Sequence, residues 1–411
     1  MRSPSRRDVL AATGGALAGL AGGYVARPYV DADSVPDPAP FAWADTEWPY
    51  PDYDPQRSRN PPPESAPDGD LAERWRYPAS GRRPEVAVAN GRAVLSLASS
   101  SIPRLASLDA ATGDEHWNVP TGGSRETPVA APGDRVFTKG RGRDVLASRA
   151  AATGEALWST TTTGVGEPFL GGGRQYVLGV GVDGETVRAL NARTGDRLWT
   201  AGLPSGHFPA AAYDADADRV VVGTDDEVVC LDAADGSTVW TEERSGNAFV
   251  SGPAVAGGRV FHAAFQAGVT ALDADSGDVL WDEPFDPELR DAEDPQVARY
   301  FVVGAATGSV LLAVEQHGDA RPEQLVAFDA ASGDRLWRTD FDRETSVSRS
   351  TIVDGAAYAS VGSEERTELV RFDLADGAAT DAWPLPTYGG PPVVADGWVY
   401  VPTSEGVVAL R

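Results

Sequence analysis

The sequence predicts an all-β fold, an eight-bladed β-propeller of four-stranded antiparallel blades. Three observations carry the prediction: a tryptophan recurs at near-fixed spacing, each repeat divides into four short strands, and the chain ends supply complementary pieces of one last unit. Trp117, Trp158, Trp199, Trp240 and Trp281 stand 41 residues apart. Trp337 follows after 56 residues and Trp383 after 46, while Trp75 lies 42 residues before Trp117. Self-similarity at such a period marks a repeat architecture.

Within each copy the local pattern is β. In the unit ending at Trp158, TPVAA reads as a short inner strand, PGDR as a turn and RVFT as a second strand. A third strand ends at the residues of ALD type. A tight turn closed by glycine follows, because glycine tolerates the positive φ such a hairpin needs. The fourth strand carries the tryptophan. Four strands and one conspicuous aromatic per unit describe a propeller blade, and helical periodicity is absent beyond the N-terminal segment.

The ends settle the blade count. The last segment, GGPPVVADGWVYVPTSEGVVALR, supplies three strands and stops at Arg411, where the turn and tryptophan strand are due. AERWRYP, residues 72–78, is the missing fourth strand. Seven complete blades and one shared blade give eight, and ring closure leaves only protected edges.

The repeated sentence reads ALNARTGDRLW to Trp199, CLDAADGSTVW to Trp240, ALDADSGDVLW to Trp281 and AFDAASGDRLW to Trp337. Looser copies end at Trp117 and Trp158. The pattern AxDxxxGxxxW closely resembles the tryptophan-docking motif of pyrroloquinoline-quinone (PQQ) dehydrogenases and BamB-like propellers, over about residues 72–411. The resemblance implies eight blades interlocked through the Ala, Gly and Trp of the motif. It nominates Trp75, Trp117, Trp158, Trp199, Trp240, Trp281, Trp337 and Trp383, with Gly113, Gly154, Gly195, Gly236, Gly277 and Gly333, as blade-docking residues. Two copies are degraded: Ala150 replaces the Asp in the second, and Arg371 replaces the Ala in the seventh, where two extra residues precede Trp383.

Ahead of the repeats, Arg6 and Arg7 precede a weak Ala/Gly/Leu run from Val9 to Val25. This looks like a twin-arginine export signal or anchor over residues 1–26. The run is short for a spanning helix, so membrane proximity is expected through this segment only, with the folded part outside the cytoplasm. Residues 27–70, rich in Pro and Asp, read as a linker to a propeller over 71–411. Trp43, Trp48, Tyr50 and Tyr53 are too many aromatics for a pure tether. Part of WADTEWPYPDYDP is therefore expected to lie against the folded domain.

The chain carries a formal charge of −26, and Lys139 is its only lysine. Such an acidic, nearly lysine-free composition resembles that of proteins from extreme halophiles, and it argues against nucleic acid or an anionic membrane as partner. A single cysteine, Cys230, excludes an intramolecular disulfide and any CxxC metal site; it is expected to be a buried packing residue. His116, His207, His262 and His317 are scattered, without metal-ligand spacing. The DADSGD and DADAD turns lack the Gly and Glu positions of an EF-type calcium loop and read as hairpin turns.

Three functions fit this architecture. As a quinoprotein dehydrogenase, the resemblance implies PQQ with Ca²⁺, a carboxylate base and in many members an adjacent-cysteine disulfide. No stretch reproduces that set, so no cofactor, metal or catalytic residue is expected. A non-catalytic extracytoplasmic scaffold, monomeric and with an unidentified protein partner or small ligand, is the favoured reading. A small anionic ligand is the third. Its site would draw on Arg125, Lys139, Arg141 and Arg143 in a locally basic stretch, with Arg82, Arg83 and Arg104 on the preceding blade. Glu167, His207 and Arg349, each ahead of an inner strand, are expected to line the same mouth. The acidic insertion EPFDPELRDAED before Trp337 is expected as a surface loop.

Overall fold

Eight antiparallel sheets stand in a ring around one axis. The computed structural model describes residues 36–79, 81–97, 103–121, 125–141, 145–162, 168–181, 184–203, 210–224, 227–243, 251–264, 268–284, 300–316, 323–342, 344–363 and 366–411. The N-terminal segment, residues 285–299 with most of the acidic insertion, Arg143, Glu167, His207 and His317 lie outside them. Each blade runs outward from the axis: blade 1 is Glu85–Ala89, Arg92–Leu97, Arg104–Asp109 and Glu115–Pro120. Blade 8 joins Val393–Ala395, Trp398–Thr403 and Gly406–Leu410 to Glu73–Pro78, its outer strand. Trp75 pairs with Ala409 and Tyr77 with Val407. The predicted closure is what the ring shows.

Burial falls from the middle of each blade to its rim. All of Trp398–Thr403 is buried, whereas in the outer strand Thr238–Glu243 only Trp240 is. That tryptophan docks on the next blade. The Asp273 carboxylate accepts the amides of Asp275 and Ser276 at 3.0 and 2.9 Å, folding the turn, and Gly277 takes φ +79°. Trp240 Nε1 donates to the Ala274 carbonyl at 3.0 Å, and a methyl on Gly277 would sit 2.6 Å from the indole. The same contacts join Trp75 to Gly113, Trp117 to Gly154, Trp158 to Gly195, Trp199 to Gly236 and Trp281 to Gly333. Trp337 meets Gly377, in the seventh copy where the motif is degraded, and bonds the Leu374 carbonyl at 2.8 Å.

Trp383 departs from the expectation. In the other blades the docking tryptophan lies across from the first motif residue, as Ala271 from Trp281. In blade 7 the residue across from Arg371 is Asp381, ion-paired with it at 3.3 Å, and Trp383 faces Leu369 and stacks on Tyr358. The reason is topological. In blade 8 the third and outer strands, Gly406–Leu410 and Glu73–Pro78, are not consecutive in sequence and are not joined by the glycine hairpin that seats an indole in the other blades.

Residues 36–70, read as a linker, pack against the ring and belong to the folded unit, with Trp48, Asp52 and Arg59 among its buried residues. Residues 46–59 run once around the axis on the face that carries the turns after first and third strands. The amides of Asp396, Val88, Ala131, Tyr213, Val255, Ala306 and Ile352 donate to the carbonyls of Thr46, Trp48, Pro49, Pro55, Gln56, Ser58 and Arg59 at 2.7–3.0 Å. Those donors belong, in order, to blades 8, 1, 2, 4, 5, 6 and 7. At blade 3, Tyr50 packs with Leu170 instead. Pro49, Pro51 and Pro55 suit such a belt because they bring no N–H needing a partner inside the ring. Bending it takes left-handed backbone at Tyr53, Arg57 and Arg59, a strain that persists only where surrounding contacts fix it.

Candidate ligand-binding surfaces

The face opposite the belt, where chain enters each inner strand, is the mouth face. On blade 2, Arg125 and Arg141 are cross-strand partners at this end of the sheet. Lys139 lies two residues further in, opposite Thr127, and is only 4% exposed, so it is packed within the blades and is not a contact residue for a partner. Of the basic residues expected on the preceding blade, Arg104 bonds Asn118, Arg83 stacks on Tyr388 at 4.6 Å, and Arg82 is exposed.

Arg349 lies inside the ring. The inner strand of blade 7 is broken into Ser346–Val347 and Thr351–Val353, and Arg349 falls in the break. Its guanidinium meets Asp52 of the belt at 3.0 Å. Arg57 reaches the same carboxylate at 2.7 Å and Arg59 at 3.0 Å. Burial alone would push the Asp52 carboxyl up, but Arg349, Arg57 and Arg59 together hold it well below the usual carboxylate range. Arg59, 2% exposed, also donates to the Ser350 carbonyl, Thr351 Oγ1 and the Pro392 carbonyl, and lies over the fully buried Trp48 ring at 5.0 Å. Burial draws its guanidinium down to about 10, so it stays charged at neutral pH. Asp54 points away from this group, accepting the Ser58 amide at 2.9 Å and hydroxyl at 2.6 Å, and burial raises its carboxyl to about 6. Sequence reasoning missed this centre. Its one signal was the alternation of Asp and Arg in PDYDPQRSR.

These residues do not fit a quinone cofactor with its calcium ion. Cys230 is fully buried in blade 4 opposite Trp240, its thiol pushed up to about 12 by burial, so no cysteine flanks the axis. Among the described residues no three His, Cys, Asp or Glu side chains are grouped to hold a metal ion. On the belt side the axis is filled by Trp48, Asp52 and Arg59, and Arg349 is committed to Asp52. The Asp-rich turns are hydrogen-bonded to their own backbones, as at Asp273 and at Asp214, which accepts the Asp216 amide at 3.0 Å.

Comparison with known proteins agrees with this geometry at the level of fold. The structure resembles quinohemoprotein alcohol dehydrogenase ADHIIG from Pseudomonas putida HK5 at 13% identity and TM-score 0.67, covering 89% of this chain and 80% of that one. It resembles BamB from Moraxella catarrhalis at 17% identity and TM-score 0.59, covering 83% and 97%. The computationally designed Ika8 protein matches at 14% identity and TM-score 0.63, covering 82% and 98%. At such identities the likeness is one of fold, and fold does not fix function. Among curated proteins, none matches by sequence. A family profile described as outer membrane protein assembly factor BamB matches residues 68–172, 101–212 and 183–411. With the repeat region matched from residue 68 to the C-terminal arginine, the chain belongs to this BamB-type family of PQQ-like propellers.

Proposed function

We propose that the chain is a non-catalytic binding propeller that engages a protein partner or small ligand through its mouth face. The observation that carries this reading is the belt. It fills the axis on one face and commits Arg349 to Asp52, so the opposite face and the grooves between blades are left for binding. Family membership supports a scaffold without naming its partner. The paired Arg6 and Arg7 support export by the twin-arginine route, and the charge of −26 supports a role in concentrated salt.

A second reading, a PQQ-dependent dehydrogenase, is favoured by the likeness to the Pseudomonas putida alcohol dehydrogenase. Calorimetry of the full chain with PQQ and Ca²⁺ in molar KCl separates the two. Absence of binding by folded protein supports the scaffold; tight saturable binding refutes it and calls for an alcohol-oxidation assay. A companion variant reverses charge at Arg125 and Arg141. Cross-linking of cell-surface partners that survives this change would remove blade 2 from the binding face.

A further inference from the structure

On the mouth face, a cleft of about 730 Å³ opens between the hairpin of blade 7 and the segment leading into blade 8. That is within the size range of small-molecule sites. Its apolar side is built from Leu385, Pro386 and the ring of Tyr388, and its polar side from Glu344, Arg366 and Glu368. Tyr388 is held in place from two directions. A methyl on Gly362 would lie 2.8 Å from its ring, and Arg83 stacks against the ring while donating Nε–H to the Tyr388 carbonyl at 3.2 Å.

Glu368 is the chemical centre of the cleft. Its side chain is only 18% exposed, so its carboxylate has lost much of its water and depends on a cationic partner. That partner is Arg366, 2.6 Å away, whose side chain is 75% exposed. Holding a long exposed side chain in one geometry costs rotamer entropy, so a pair of this kind contributes little and is easily exchanged. Glu344, exposed on the same rim, adds negative charge beside the cleft.

We propose that this cleft binds a ligand bearing a guanidinium or ammonium group on an aliphatic stem, which displaces Arg366 from Glu368. The incoming cation takes the carboxylate, and the stem lies along Leu385, Pro386 and Tyr388, as long cationic side chains lie along apolar surface. This chemistry belongs to polyamines and to exposed arginine or lysine side chains of a protein. The site is independent of the basic face on blade 2.

Calorimetry of the full chain tests the assignment, with agmatine, spermidine and the peptide acetyl-Gly-Arg-Gly-amide as probes. At least one probe is expected to bind saturably; agmatine or spermidine alone identifies a free amine, the peptide alone a protein side chain. Glu368→Gln is expected to weaken binding by about tenfold or more, the scale of a lost charge-assisted bond. Arg366→Ala is expected to tighten it several-fold, because the internal competitor is gone; a merely structural role for Arg366 would not do this. Glu155→Gln, a distant exposed carboxylate, controls for the general attraction of cations. Binding of no probe by folded protein, tightening that fails in Arg366→Ala, or equal weakening by Glu155→Gln and Glu368→Gln would each overturn the proposal.

Discussion

Replacing Asp52 with alanine tests whether the belt is structural. The carboxylate is 3% exposed and answers three guanidiniums, one of them, Arg59, itself 2% exposed. Removing it leaves Arg59 buried without its counter-charge and frees the left-handed residues that Asp52 helps to fix. Breaking a buried pair by deleting one partner costs about 3–5 kcal/mol. With an unfolding entropy near 2.1 cal/mol/K per residue and roughly 375 folded residues, that loss lowers Tm by about 4–6 °C. Calorimetric scans of the full chain and the variant at pH 7 read it directly, and the emission of Trp48, fully buried beneath Arg59, should shift to the red at the same time. The acid limb gives a second reading. A carboxyl depressed by folding contributes stability that is present above its unfolded value and lost as pH falls through the folded one. The difference between the two proteins should therefore shrink as pH drops below about 4. A Tm change under about 1 °C at pH 7 would refute a structural role for the belt at this point.

The remaining predictions concern the belt turn and the blade docks. Asp54 has the opposite sign to Asp52: its raised carboxyl favours folding at low pH, and that contribution is lost as pH rises from about 4 to about 6. Because it retains some surface in water, about 3 kcal/mol is the upper limit, and Asp54→Asn should raise Tm at pH 8 while flattening the profile in that window. A Tm unchanged or lowered at pH 8 would contradict this. Gly277→Ala, with φ +79° and a methyl 2.6 Å from Trp240, should cost about 2–5 kcal/mol, whereas Gly355→Ala, at φ +69° in open space, should cost about 1 kcal/mol. Equal losses in denaturant unfolding would mean that the indole contact is unimportant. Trp281→Ala should cost about 3–5 kcal/mol and half-buried Trp383→Ala about 1–2 kcal/mol, because only the first is a dock. A greater loss at Trp383 would restore it to the docking set.

The ring was legible because repeat period, strand pattern and turn chemistry all pointed to the same fold, and the terminal strand could be counted as missing. The docks were legible where the motif kept its spacing, and misread where it did not. The two residues inserted before Trp383 already showed that the indole had left its register, but that this junction has no turn to receive it needed the closure in three dimensions. The belt was half visible. Its aromatics predicted contact, but its hydrogen bonds run through main-chain carbonyls, which side-chain patterns do not report. A proline-rich run reads as a tether until inner-strand amides are seen to need acceptors. Basic residues near 139 looked like one patch because charge spacing does not report depth along a strand, and Lys139, two residues further in than Arg141, is buried between the blades.

The junction of blades 7 and 8 shows how closure can shape a binding surface. Pairing Glu73–Pro78 with Gly406–Leu410, strands far apart in sequence, leaves this sheet without the hairpin that seats an indole elsewhere, and the Arg371–Asp381 pair stands at the vacated position. The segment from Pro384 onward then carries three duties. Tyr388 forms one side of the cleft, the Gly390 carbonyl accepts the Ser360 hydroxyl at 2.8 Å, and the Pro392 carbonyl accepts both Arg59 and Thr351 at 2.7 Å. Arg59 in turn fixes the belt across the axis. Closure, belt anchorage and the cation cleft therefore share one irregular junction, while the regular junctions repeat one indole, one glycine and one carbonyl. In a protein whose repeats mainly hold one another, the place where repetition fails is where selection for a ligand has the most freedom to act.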